Sequence, residues 1–182
     1  MAQKTVSESH LELAEIVEPN DANFLGKAFG GAILAKIDLC AYATASRYAS
    51  AICVTASFDR VDFHSPIEVG EVVSMIGKVT YVGRTSVEVT IELYATNVLS
   101  GERRHTNTAR VTMVALGPDQ RPTEVPRLVC ESREEKIGFL EGKLRRELRG
   151  NSKEVLESWT ERFRGFDEPE LDRLIAAQSL TK

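Results

Sequence analysis

Asp38 is the only acidic residue in a long apolar run, Gly31 to about Tyr48, where the one other charge before Arg47 is Lys36. A carboxylate among apolar neighbours must be paired, hydrogen-bonded or put to use. Used, it is a general base toward water or a nucleophile itself. Unused, it lies on the one wet stripe of a helix. The segment Asp21-Ala22-Asn23-Phe24-Leu25-Gly26-Lys27-Ala28-Phe29-Gly30-Gly31 leads into that run. Two glycines at a helix start leave backbone N–H groups open, and the helix dipole adds positive potential there. Gly30 and Gly31 therefore suit a carbonyl oxygen that gains negative charge, or they serve close packing alone. A third group is Gly83-Arg84-Thr85-Ser86 at a strand turn. Its glycine permits an unusual backbone, its arginine forks onto phosphate, and two hydroxyls add contacts; the alternative is an ordinary hairpin loop.

Other chemistries find less support. His10, His64 and His105 lie far apart in the chain and have no recognisable partners, so they read as surface or sheet residues. Cys40, Cys53 and Cys130 are an odd number at no metal-like spacing. They read as reduced, mostly buried thiols, with no metal site among them. Cys40 has no basic neighbour in sequence to activate it, which leaves it a core residue.

These groups need a frame. Residues 11–18 alternate as a strand, and PNDANFLGKAFGG is dense in turn formers. Ile33, Leu34, Ile37, Cys40 and Ala41 recur at helical spacing. A helix apolar on most of its surface is a buried one. Strands follow over 52–63, 71–82, 85–95 and 102–116. In the third, Val87, Val89, Ile91 and Leu93 fall on one face and Ser86, Glu88, Thr90 and Glu92 on the other, the pattern of a half-buried antiparallel strand. The order predicts an α+β architecture, a curved antiparallel sheet wrapped around one long helix. The sheet's outer face and edges then invite a second copy of the chain. After Pro118, Pro122 and Pro126, residues 131–182 are highly charged, with apolar residues at helical spacing: Ile137 to Leu148, Val155 to Phe163, and Leu171 to Ile175. They predict two or three amphipathic helices, a solvated tail that packs on the domain or on a neighbour.

The chain has 182 residues, 42% hydrophobic and 27% charged, which fits one globular domain with an extra element. A net charge of -4 argues against nucleic acid as the main partner. No apolar stretch is long enough to insert in a membrane, and residues 1–10 lack the apolar centre of a secretory signal. These features predict a cytoplasmic protein.

Four blocks in order resemble the hotdog acyl-CoA thioesterases: NDANFLGKAFGGAILAKID, VTASFDRVDFHSPIEVGEVV, VGRTSVEVTIELYATN and SGERRHTNTARVTMVAL. This group includes the cytosolic long-chain acyl-CoA thioester hydrolases and short bacterial single-hotdog relatives. The resemblance spans about residues 11–126. It implies a hotdog domain over 1–126, followed by a charged helical C-terminal extension over 127–182. It implies hydrolysis of acyl-CoA to fatty acid and CoA, with no metal or organic cofactor and coenzyme A only as part of substrate and product. It implies Asp38 as base or nucleophile, Asn23 orienting water or the carbonyl, and CoA contacts from Gly83, Arg84, Thr85 and Ser86. It also implies a homo-oligomer with a dimer as building block, able to assemble as a trimer of dimers, and a site shared by two chains. Two rivals remain: a non-catalytic acyl-CoA binding or regulatory module, and a hotdog hydratase or dehydratase. The second usually pairs a histidine with an acid, and Asp21 to Arg47 contains none. Where many relatives have Arg-His, this chain has Arg47-Tyr48; where many have an aromatic or apolar residue, it has Arg110.

Overall fold

In the computed structural model, which describes residues 2–59 and 61–177, the elements run β1 (Gln3–Thr5), α1 (Val6–Ser9), β2 (Leu11–Ile16), α2 (Gly30–Ala49), β3 (Ile52–Phe58), β4 (Val72–Val82), β5 (Ser86–Thr96), β6 (Arg103–Leu116), β7 (Arg127–Val129), α3 (Arg133–Arg164) and α4 (Glu168–Ala176). Helix α2 follows its spacing. Ile33, Ile37, Cys40, Ala41, Thr44, Ala45 and Tyr48 are buried on one face. That face lies on a five-stranded antiparallel sheet of order β2-β4-β5-β6-β3. Val87, Val89, Ile91 and Leu93 of β5 point into the same core, joined by Val73, Met75 and Val79 of β4 and by Ala109, Val111 and Met113 of β6. Contact between helix and sheet is closest at Gly77 of β4, where a Cβ would fall on the Thr44 hydroxyl and lie 3.2 Å from the Cys40 sulfur.

This is the expected arrangement of long helix and curved sheet, with three differences. First, the sheet does not enclose α2: Leu39 and Tyr42 are exposed. Five strands cover one side of the helix and leave the other to solvent or to another chain. Second, the polar face of β5 is dry at its centre. Glu88 is 1% exposed and Thr90 5%. The Glu88 carboxylate accepts a hydrogen bond from the Thr80 hydroxyl at 3.1 Å, and the first turns of α3 cover it. Gly142 comes so close to Tyr81 and Glu88 that no side chain would fit there, and the Phe139 ring lies tilted against Tyr81 with centroids 5.1 Å apart. Third, β3 stops at Phe58 rather than near 63, with a register shift between Thr55 and Ser57. Arg60, inside the predicted strand, lies outside the described residues.

The strand order also departs from chain order: β3 sits at the edge beside β6, and among the described residues no strand pairs with its other side. Residues 3–5 pair in parallel with 127–129 as a separate two-stranded sheet. The chain divides into two compact units, Met1–Gly142 and Lys143–Lys182. Helix α3 merges the first two amphipathic segments predicted for the tail. Gly150 between them costs a helix only about 1 kcal/mol, and no proline intervenes, so the helix continues. The last segment forms α4, capped by Asp167; residues 178–182 lie outside the described residues.

Candidate active site

Asp38 sits on α2 where the helix faces the edge strand β3. Its Oδ1 accepts a hydrogen bond of 2.5 Å from the Thr55 hydroxyl, which also lies 3.4 Å from the Met113 sulfur. Thr55 is exposed and Asp38 half-buried, so the carboxylate is held in a fixed orientation yet open to water. Sequence reasoning assigned Thr55 no role. It stands in the quoted VTASFDRVDF block, and only the register of β3 against β6, Thr55 opposite Met113, shows that it faces Asp38.

The loop before α2 is a built structure. Lys36 pairs with Glu15 of β2 at 2.6 Å and with Asp21 at 3.3 Å. The hydrogen bond to Glu15 is the main reason its ammonium pKa is raised. The Phe29 N–H donates to the Asp21 carbonyl at 2.7 Å. Within the loop, Asn23 Oδ1 accepts from the N–H groups of Leu25 and Lys27, at 2.8 and 3.2 Å. Gly26 takes the positive φ of 72° that the turn needs. With its oxygen committed, Asn23 has only the Nδ2 donor left for a ligand. The oxygen of a water or of a carbonyl can each meet Asn23 at this donor.

Helix α2 begins at Gly30 after Phe29, and no side chain caps it. The first N–H groups of a helix lack an acceptor four residues back, so those of Gly30 and Gly31 are open to a ligand. Packing also restricts Gly31, while position 30 has room for a Cβ. A Cβ at Gly31 would strike the Phe29 ring at 2.5 Å, and one at Gly30 would touch the Phe63 ring. Asn23, Gly30, Ile33, Phe63, His64 and Pro66 line a cavity of about 380 Å³. His64, expected on the surface or in a sheet, is an exposed residue of its wall. Behind this wall, buried Glu71 takes two bonds of 2.6 Å from Arg104, which also donates to the Pro66 carbonyl at 2.8 Å. Arg104 holds the Glu71 carboxyl below its usual value.

Gly83 and Arg84 form the β4–β5 turn, closed by Gly83 N–H donating to the Ser86 carbonyl at 2.8 Å. The Arg84 and Thr85 carbonyls accept from Val125 at 3.1 Å and Ala115 at 3.0 Å. Gly83, Arg84, Arg127 and Phe139 line a second cavity of about 380 Å³. Thr85 and Ser86 anchor the turn and do not line it. Arg127, outside every quoted motif, adds a second guanidinium.

One chain does not bring these parts together. Asp38 is eight residues down the helix from Gly30, about 12 Å along its axis, and does not line the Asn23 cavity. The Arg84 turn ends the 11-residue strand β4 whose start lies beside the Asn23 loop, about 35 Å at a strand's rise. Cys40 is buried, its thiol pushed up to about 11 by desolvation, which fits a core residue. Among the described residues no three side chains could hold a metal ion, and no helix is long and apolar enough to cross a membrane.

Residues 25–101 match the thioesterase superfamily. An uncharacterised acyl-CoA thioester hydrolase of Bacillus subtilis is 38% identical over 70% of this chain and 74% of its own length. A hexameric acyl-CoA thioesterase superposes with a TM-score of 0.80 at 38% identity, over 84% of this chain and 98% of its own. An acyl-CoA hydrolase of Staphylococcus aureus, solved with butyryl-CoA and CoA, superposes with a TM-score of 0.77 at 31% identity, over 90% of this chain and 99% of its own. Three further structures of the Staphylococcus enzyme each replace one residue by alanine: an Asn, an Asp and a Thr. Asn23, Asp38 and Thr55 have the same types, order and spacing along this chain.

Proposed function

The chain belongs to the thioesterase superfamily, and from that premise we propose that it hydrolyses acyl-CoA thioesters to a fatty acid and CoA. The observation that carries the proposal is the Asp38 carboxylate held by Thr55 at the open edge of the sheet. A held, solvent-reachable carboxylate can take a proton from water as that water attacks the thioester carbon. The carbonyl oxygen then gains negative charge. Asn23 Nδ2 and the Gly30 and Gly31 N–H groups are the donors that meet it. As the C–S bond breaks, Asp38 returns its proton to the leaving sulfur. Attack by Asp38 itself, through an anhydride, uses the same geometry. Thr55 positions the carboxylate in either route. No step requires a metal or organic cofactor.

CoA's phosphates, on this reading, meet Arg84 and Arg127 at the rim of the second cavity, because a guanidinium fork fits phosphate oxygens. The distances within one chain require at least two copies for a complete site. The unpaired edge of β3, the exposed Leu39 and Tyr42 of α2, and the exposed Phe24 and Leu25 of the Asn23 loop are the surfaces a partner would cover. A homodimer is therefore the working unit, able to assemble as a trimer of dimers. The catalytic unit, on this reading, is the hotdog domain expected over residues 1–126 together with β7 and the first turns of α3, and the helical extension is the rest of α3 with α4. Free thiols at Cys40, Cys53 and Cys130 suit the reducing cytoplasm.

The test is thiol release from a series of acyl-CoAs. The proposal expects turnover that Asp38→Asn cuts roughly a hundredfold or more in a variant of unchanged fold. Binding without release would leave an acyl-CoA binding module. His64 in the cavity wall is the one observation that favours a hydratase, so enoyl-CoA hydration is measured alongside. Hydration without thiol release would replace the thioesterase assignment.

A further inference from the structure

Arg127 reaches the second cavity from a segment that is fastened at successive residues. The Val125 N–H donates to the Arg84 carbonyl at 3.1 Å, and the Arg127 N–H donates to the Ala2 carbonyl at 3.0 Å. Residues 127–129 pair in parallel with 3–5, Arg127 opposite Gln3 and Leu128 opposite Lys4. Between these ties stands Pro126. It has no N–H, so its carbonyl is its only polar backbone anchor. That carbonyl accepts a 3.0 Å hydrogen bond from the hydroxyl of Tyr48, a fully buried residue near the end of α2. The same helix end anchors β1. Lys4 Nζ donates to the Arg47 and Tyr48 carbonyls at 3.2 and 2.7 Å and to the Ser50 hydroxyl at 2.9 Å. The last carbonyls of a helix have no partner within it, and a cation suits the negative end of its dipole.

We propose that Tyr48 and Lys4 are positioning residues for coenzyme A: through Pro126 and β1 they fix the backbone from which Arg127 meets a CoA phosphate. This rests on the reading of the second cavity as the phosphate site. A guanidinium fork binds phosphate well only when its N–H groups point at the oxygens, so the placement of its backbone counts. Arg127 is exposed, and its orientation comes from that backbone rather than from packing. Tyr48 is buried and touches no substrate. Asp38 lies about 15 Å back along α2. The effect of Tyr48 and Lys4 therefore falls on the grip of CoA and not on the chemical step.

Steady-state kinetics of the full-length chain test this, with an acyl-CoA and with an acyl-N-acetylcysteamine, a thioester that lacks the nucleotide. Tyr48→Phe keeps the ring and removes only the hydroxyl. Lys4→Met keeps the stem and removes the charge. Each should raise KM for acyl-CoA about fivefold, the scale of one lost hydrogen bond. The kcat and the KM for the short thioester should stay at wild-type values. Arg127→Ala should also raise KM for acyl-CoA, and neither substitution should add to that rise in the same chain, because the residue they position is gone. An unchanged KM for acyl-CoA in Tyr48→Phe, beside a raised one in Arg127→Ala, would overturn the proposal. So would an equal rise for both thioesters, which marks general loosening of the fold, or increments that add to Arg127→Ala. An unchanged KM in Arg127→Ala would overturn the phosphate reading of the cavity, and the positioning role with it. Thiol release from the short thioester by the wild-type chain tests the thioesterase assignment separately.

Discussion

If each site takes Asn23 from one chain and Asp38 from another, two dead variants should rescue each other. Asn23→Ala removes the Nδ2 donor, and Asp38→Asn removes the base. Each alone should be inactive, because every site needs both residues. Mixed and allowed to exchange subunits, half of the pairs become heterodimers. In each heterodimer one site collects both damaged residues and the other both intact ones. Activity should recover to about a quarter of wild type, by the arithmetic of a twofold pair. The structural basis is distance. Asp38 lies about 12 Å down α2 from Gly30, while a proton transfer needs roughly 3 Å, and Asp38 is absent from the cavity that Asn23 and Gly30 line. The assay is thiol release during exchange, with differently tagged subunits recovered together to show that exchange occurred. A mixture that exchanges yet stays inactive would refute the shared site and place both residues in one chain's own site.

Three further outcomes follow from the geometry. Thr55→Val removes the 2.5 Å hydrogen bond to Asp38 from an exposed edge position; kcat should fall about tenfold, as expected for one bond to a charged group, with thermal stability little changed, and an unaltered kcat would free Asp38 from this partner. Arg84→Ala should raise KM for acyl-CoA far more than for a short thioester without the nucleotide, since Arg84 meets phosphate and not the reacting carbon; equal effects would remove it from the CoA site. Glu71→Gln should cost about 2 kcal/mol at pH 7, below the value for a fully buried pair because Arg104 is 31% exposed. The Glu71 carboxyl is held below its usual 4.5 in the folded chain. Its contribution is therefore complete above pH 4.5 and is lost as the pH falls through the folded value. Denaturation of wild type and variant should converge on acidification, and a gap that does not narrow as the pH falls below 4.5 would show that the pair is not the source.

The sequence alone determined the elements whose patterns are local. Strict alternation from Val87 to Leu93 and the helical spacing from Ile33 to Ala41 named the core, because a strand's period of two and a helix's of 3.6 are properties of the chain itself. The Gly30–Gly31 helix start and the Gly83 turn were legible for the same reason. What the sequence left open were matters of pairing. Thr55 gained its partner only when β3 took the edge beside β6 and turned that hydroxyl toward α2. Glu88 sits on the polar side of a well-alternating strand, yet the first turns of α3, far along the chain, bury it. That Asn23 would meet a ligand through its Nδ2 emerged only from the turn at Gly26, which commits its oxygen to two backbone N–H groups. Arg127 joined Arg84 because residues 127–129 pair with residues 3–5, a contact between the two ends of a domain. Local periodicity fixes which face each residue takes on its own element, but which faces meet depends on strand order and register, and those are settled only when distant segments pack.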